Sequence, residues 1–309
     1  MKKFLIVLVI VVISLGCITI LKDSIIKSVV TTAASGITGA PVHMDSFSMN
    51  IFNSAIHITG FKMYNPSGFP EGMFVSCPKI NVIFDRASLF KQKPHFLLVE
   101  IELKEMVLTK NKEGKLNVDS LKIVHPVKSS SPVPIKIDFL NLSIGKIVYK
   151  DYTNGMGPTV RVYDVNRHKS YKSIPTAQQL ALLVLAEPMK AAAIKNAEIY
   201  GVALVAGVAV LPVAIAATFI AKDNVQQIIN AGFGHTYEIS LGVVKRMGTI
   251  TQQDASNGVI KANINGFTVV ATLRKAADNK TEITISARKY MLPQLDIAQG
   301  VLYQILDKM

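Results

Sequence analysis

The most constraining feature of this chain is an uncharged apolar run, FLIVLVIVVISLGCITIL, at residues 4–21, preceded by Lys2 and Lys3. A helix that crosses a bilayer needs about 20 such residues, with a lower limit of about 17. The two lysines before the run put the N-terminus in the cytoplasm by the positive-inside rule. Everything after Lys22 is then delivered across the membrane. Three readings of the run compete: an uncleaved signal-anchor helix, a cleaved signal peptide, and a lipoprotein signal. No small-x-small cleavage site follows the run, which weighs against the second. Gly16-Cys17 has the small residue before cysteine that the third requires, but Ser14-Leu15 reverses the usual order and the run stays apolar through Leu21. A continuous helix explains that tail most simply.

A second uncharged run, IYGVALVAGVAVLPVAIAATFIA, occupies residues 199–221. Its length passes the spanning test, but its alanines, glycines and Pro212 make it weakly apolar on insertion scales. It is either a second span or a helix that docks on the bilayer or packs through small residues. The choice decides on which side of the membrane residues 222–309 lie.

Net charge is +13 over 309 residues. A tethered basic protein is drawn to anionic headgroups, so membrane lipids are the expected partner. Nucleic acid is not, because the lysines are scattered through strands and no recognition motif accompanies them. Of the two cysteines, Cys17 lies in the apolar run, so Cys77 has no partner for a disulfide and is read as a small buried hydrophobe.

Four regions follow. Residues 1–40 are the anchor and a juxtamembrane helix, with Ile25, Ile26, Val29 and Val30 at helical spacing and Ser35-Gly36 and Thr38-Gly39 as stops. Residues 41–166 read as strands. Val42, Met44, Phe47 and Met49 point inward, and Asn53-Ser54 turns the chain into AIHITGFKMYN. Residues 65–72 are a turn-rich loop, and KINVIFD leads to HFLLVEIELKEMVLTKN. There Leu97, Val99, Ile101 and Leu103 alternate with Leu98, Glu100, Glu102 and Lys104. Residues 112–115 make a hairpin turn before LNVDSL, and residues 126–134 a Pro/Ser linker. IKIDFLNLSIGKIVYKDYT is a pair of strands broken near Gly145, and TVRVYDV is the last strand. The pattern implies a mainly antiparallel meander with one apolar face. Residues 167–234 switch to helix, with Thr176 as a cap and a kink at Glu187-Pro188. Residues 235–309 are a small α+β unit: a helix, three strands joined at Asn265-Gly266 and Asp278-Asn279, and a closing helix with Ile297, Val301, Leu302 and Ile305 on its apolar stripe. The fold class is α+β.

The anchor, TGAPVHMDSFSMNIFNSAIHITGFKMYNPSGFP, DRASLFKQKPHFLLVEIELKEMVL and KNKEGKLNVDSL, in that order, resemble the start of AsmA-like proteins. The likeness covers roughly residues 1–166 and rests on turns and strand pattern. It implies a curved β-sheet anchored in the inner membrane and exposed to the periplasm. It also implies work in envelope maintenance, by binding lipid or by aiding outer-membrane assembly. The Tyr237-Glu238 pair, the Asp254-Ala255-Ser256-Asn257-Gly258-Val259-Ile260-Lys261 segment, three strands and a terminal helix resemble a bacterial family of small exported lipoprotein-like domains of unknown function. The alternative to a lipid role is an interaction module that docks other envelope proteins through its sheet edges.

No HExxH, CxxC, GxSxG or phosphate-binding loop occurs. No catalytic, cofactor-binding or metal-ligating residue is therefore assigned, no cofactor is expected, and the chain is not expected to be an enzyme. The histidines (His43, His57, His95, His125, His168 and His235) show no ligand spacing. His43 and His57 face each other across the first hairpin as solvated strand residues. Glu100 and Glu102, with Glu105 nearby, belong to a polar surface, and Asp254 to a turn. The apolar strand residues form either a core or the lining of a lipid groove. Oligomeric state is open.

Overall fold

The computed structural model describes residues 23–90, 93–125, 132–154, 157–194, 197–208 and 223–309. Within them the fold is α+β, with two mostly antiparallel sheets and five α-helices. No described helix is long and apolar enough to cross a membrane. Residues 4–21, and residues 209–221 of the second apolar run at 199–221, lie outside the described residues, whereas 199–208 are described and begin with a short helix, Ile199–Val205, that buries Ile199, Tyr200 and Ala203.

Helix α1 covers residues 23–38 and ends at Gly39, whose φ of 75° favours glycine and where a Cβ would collide with Lys122. The Ser35-Gly36 pair, expected to stop the helix, lies inside it. The first sheet follows: β1 (Val42–His43), β2 (Ser46–Asn50), β3 (Ala55–Tyr64), β4 (Met73–Phe84), β5 (His95–Lys110), β6 (Pro134–Asp151) and β7 (Thr159–Thr176). β1 and β2 share one edge of β3, and the order continues β4, β5, β6, β7. The β2–β3 hairpin forms where Asn53-Ser54 predicted it.

Three expectations for this sheet are corrected. First, the meander is interrupted: β5 and β6 run parallel, with residues 111–133 carrying the chain back along the sheet. Parallel neighbours need such a return, whereas antiparallel ones close with a turn. Second, IKIDFLNLSIGKIVYKD is one strand. Gly145 bends it through a register shift against β7, and its backbone lies against the Lys104 carbonyl, where a Cβ would collide. Third, β7 runs to Thr176. Its polar second half, RHKSYKSIPT, looks unlike a buried strand because one face is solvated and Ile174 alone is fully buried.

Helix α2 (Ala177–Ala191) then starts on a Thr176 cap, whose hydroxyl accepts from the Gln179 N–H. It accommodates Pro188 without breaking until Ala192. Helix α3 (Ile199–Val205) packs beside it. Together they cover the apolar face of the first sheet. Leu182, Leu183, Leu185 and Met189 of α2, with Ile199 and Tyr200 of α3, close over Leu103, Met106, Ile137, Leu140 and Leu142. The segment LNVDSL adds Val118 and Leu121 to this core from a short 3-10 turn.

The second sheet contains β8 (Val225–Ile229), β9 (Thr249–Asp254), β10 (Val259–Ile264), β11 (Phe267–Ala277), β12 (Lys280–Lys289) and β13 (Leu292–Pro293), with α4 (Phe233–Met247) and α5 (Leu295–Leu306). Its centre is the antiparallel run β9-β10-β11-β12, and β8 and β13 share the far edge of β12. Asn265-Gly266 makes the expected tight turn, with both φ angles positive. The stripe of α5 is buried as its spacing predicts, with Ile297, Val301 and Ile305 inside and Leu302 at the margin. These residues pack on Val269, Ile283 and Ile285 and also on Val148, Val160 and Val162 of the first sheet. Helix α5 is thus shared between the two sheets. Gly300 lets it press on β7, because any Cβ there would meet the Val160 carbonyl.

Candidate functional site

The outer face of the first sheet has two halves. Towards Pro134 it is open, with polar rows bounded by an apolar row of Ile83, Leu98 and Phe139. Lys79, Glu100, Glu102, Lys104, Ser143 and His168 line a shallow depression of about 540 Å³. Lys79 sits directly across from Glu102, and the Ser143 hydroxyl lies 2.8 Å from His168 Nδ1. Alternation alone accounts for this face, and Glu100 and Glu102 are exposed on it as expected.

Towards Asp151 the same face is covered by α5. Here Glu105 is buried, unlike Glu100 and Glu102. The inward set changes between Leu103 and Met106, level with the bend at Gly145, so position 105 falls under the helix. Tyr303 donates to Glu105 Oε1 at 2.8 Å, and Lys146 Nζ lies 2.9 Å from Oε2. The same ammonium stands 4.9 Å above the Tyr303 ring, and Lys150 stands 5.5 Å from it. Burial pushes the Tyr303 phenol up and the Lys150 ammonium down. Arg161 pairs with Asp296, and Gln299 donates to Asp164 at 2.8 Å. Beside this clamp a cleft of about 780 Å³ is lined by Lys146, Asp164, Asp223, Gln226, Gln299 and Tyr303. Both ionised partners of the clamp already face each other, so its chemistry is adhesive: it fixes the register of α5 on β5 to β7.

Other residues singled out from the sequence fall into ordinary roles. His43 and His57 are not opposed. His43 pairs with Lys62 across β1–β3, whereas His57 lies opposite Ser48 and bonds Asn81 at 3.0 Å. The offset arises because β1 and β2 are separate strands along β3, divided at Met44-Asp45. Among the described residues no cluster of three or more metal-ligating side chains forms. Cys77 is buried, and desolvation pushes its thiol up to about 12. Asp254 accepts from the Asn257 backbone, the Asn257 amide and the Ser256 hydroxyl, which hold its carboxyl down at about 2.

Two arrangements had no signal in the sequence. Ser88, His95 and Asp138 converge near the start of β5, with His95 Nε2 at 2.8 Å from Asp138 and Asp85 at 3.8 Å on the other nitrogen. The Ser88 hydroxyl is not aimed at the imidazole. It donates to the Asp85 carbonyl at 2.6 Å and accepts from the His95 backbone at 3.0 Å, so it secures a turn. Buried Asp119 reaches across 80 residues to accept from the Ile199 N–H at 3.2 Å, which caps α3. Burial raises its pKa while the backbone donors of Ile199 and Glu198 oppose that shift.

Among the described residues, the apolar residues of the first sheet that lie beneath α2 and α3 form a filled core. Leu103, Met106, Ile137 and Leu140 have no exposed surface beneath α2 and α3. No protein-family model matches the chain, and no curated protein matches it in sequence.

Proposed function

We propose that this is a non-enzymatic, membrane-anchored periplasmic protein of AsmA-like type. It works in the cell envelope by binding lipid or by aiding assembly and maintenance of the outer membrane. The observation that supports this reading is the seat of α1. The described helix includes Asp23, two residues after the apolar run in sequence, and Asp23 Oδ1 accepts from the Met49 N–H at 3.3 Å. Further along, Lys27 donates to the Asp45 carbonyl at 3.0 Å. Ile26 and Val30 pack on Met44, Phe47 and Ile58. A membrane rod that continues into a helix fastened along the sheet edge holds the sheet at a fixed attitude to the bilayer.

Closure of the apolar face by α2 and α3 favours a second reading, a protein-interaction module of the envelope with no lipid ligand. Native mass spectrometry of the full-length protein extracted in mild detergent separates the two. Copurified phospholipid that survives detergent exchange is expected from the first. Lipid-free protein with a reproducible protein partner overturns it in favour of the second. An alkaline phosphatase fusion after Met309 fixes the side of the membrane on which the second sheet lies: activity removes the second span.

A further inference from the structure

From the geometry we infer that the β2–β3 hairpin tip is a second membrane contact, in which Ile51 and Phe52 enter the bilayer beside the anchor. The inference rests on the tethered reading above and adds a docking surface to it.

Phe52 is 90% exposed and Ile51 is 45% exposed, at the end of a hairpin that is well held. The Asn53 N–H donates to Asn50 Oδ1 at 2.9 Å, and the Ser54 N–H donates to the Ile51 carbonyl at 3.3 Å. Phe84 N–H reaches the Ser54 carbonyl at 2.9 Å, and Arg86 donates to the Phe52 carbonyl at 3.4 Å. Ser54 adopts a positive φ of 54° to close the loop. The backbone thus presents two large apolar side chains to the outside on a rigid frame.

Where that frame points follows from α1. Asp23 bonds Met49, next to the tip, while the far end of α1 meets β1 through the Val42 N–H and Ser35 hydroxyl at 3.2 Å. The helix therefore starts at the tip end of the hairpin and runs away from it. In sequence, the apolar run of residues 4–21 ends two residues before Asp23. On the first turns of α1, Ile25 (64%) and Val29 (62%) are also exposed, one turn apart. Lys22 precedes them, and Arg86 backs the tip. Apolar side chains backed by the Arg86 cation, at the end of α1 that follows the apolar run in sequence, match the headgroup and acyl boundary of the bilayer in the tethered reading.

The chain contains no tryptophan, so Phe52→Trp introduces a single reporter. A matched reporter, Tyr64→Trp, lies at the other end of β3, roughly 30 Å away at strand rise. Each full-length variant is reconstituted into vesicles of phosphatidylethanolamine and phosphatidylglycerol containing brominated acyl chains. Docking at roughly 5–10 Å depth predicts blue-shifted emission from Trp at 52. Its quenching should be several-fold stronger than at 64, and strongest for bromines near the headgroup. Co-flotation with vesicles but red, unquenched emission at 52 overturns the docking and leaves the tether standing. Blue-shifted emission without lipid quenching also overturns it, because the tip then packs on protein, such as a second copy. Failure to co-float overturns the tether and the docking together.

Discussion

The two sheets reach similar cores by different routes. In the second, strands β9 to β12 follow one another through short turns, and every neighbour in that run is also the next strand in sequence. In the first, β5 and β6 are neighbours only after residues 111–133 have returned along the sheet, and the apolar face is closed by α2 and α3, which come later still. A fold built from adjacent hairpins is written locally. One with a return crossover depends on contacts that no short stretch contains. Helix α5 couples the two, because one stripe of side chains packs on both.

The largest test of this contrast is a pair of core truncations. Leu140→Ala in β6 and Ile285→Ala in β12 each remove a side chain with no exposed surface. Each should cost about 2–5 kcal/mol. If α5 makes the sheets one cooperative body, both variants shift a single urea transition. Two transitions, each moved by only one variant, would break the coupling.

Gly300→Ala addresses the shared helix directly. A Cβ at 300 meets the Val160 carbonyl, so α5 must lift from β7 and loosen the clamp at Glu105. A loss of about 1–3 kcal/mol is expected. It should be accompanied by faster hydrogen exchange in β7 than in β11, and equal exchange in the two strands would argue against the close approach.

A gain is expected at the β12–β13 turn. Tyr290 and Met291 have positive φ angles of 48° and 69°, which bulky residues adopt only under strain. Met291→Gly should raise stability by about 1 kcal/mol, read as an increase in the urea midpoint. The equivalent turn at Asn265-Gly266 already has its preferred residues, and substitution there should only lose stability.

The smallest effect concerns acid. The Asp254 carboxyl is held down to about 2 in the folded chain by its Asn257 and Ser256 donors, whereas an unfolded aspartate titrates near ~3.9. The folded state binds this proton less readily. The turn's contribution is therefore complete above about 4 and is lost as pH falls towards about 2. Asp254→Asn should flatten stability slightly over that interval, and an unchanged acid limb would remove the turn from the account.

Local patterns made much of this fold legible. The alternation from Val99 to Lys104 gave the buried and exposed faces of β5, although Leu97 at its start is exposed, Thr176 capped α2, Asn265-Gly266 turned the chain, and the 3.6-residue stripe of α5 was buried. What escaped was set by irregularity or by distance. Glu105 follows Glu100 and Glu102 in composition but not in place, because the strand changes its inward set near Gly145. The second half of β7 lacks a hydrophobic period, since it covers little core of its own. Asp119 reads as part of an apolar segment, and its role depends on a helix 80 residues later. The clamp under α5 is likewise built from residues on β5, β6 and the last helix, which no spacing rule connects.

The shared direction of β5 and β6 has a consequence for biogenesis. A chain made from its N-terminus onwards delivers β1 to β5 as consecutive antiparallel ribbons. The sixteen-residue β5 then waits with one row of amide and carbonyl groups unmatched until residues 134–151 have emerged. Such a row is adhesive towards any passing extended chain. Synthesis of this protein therefore has a vulnerable interval, opened when Lys110 emerges and closed when Asp151 does.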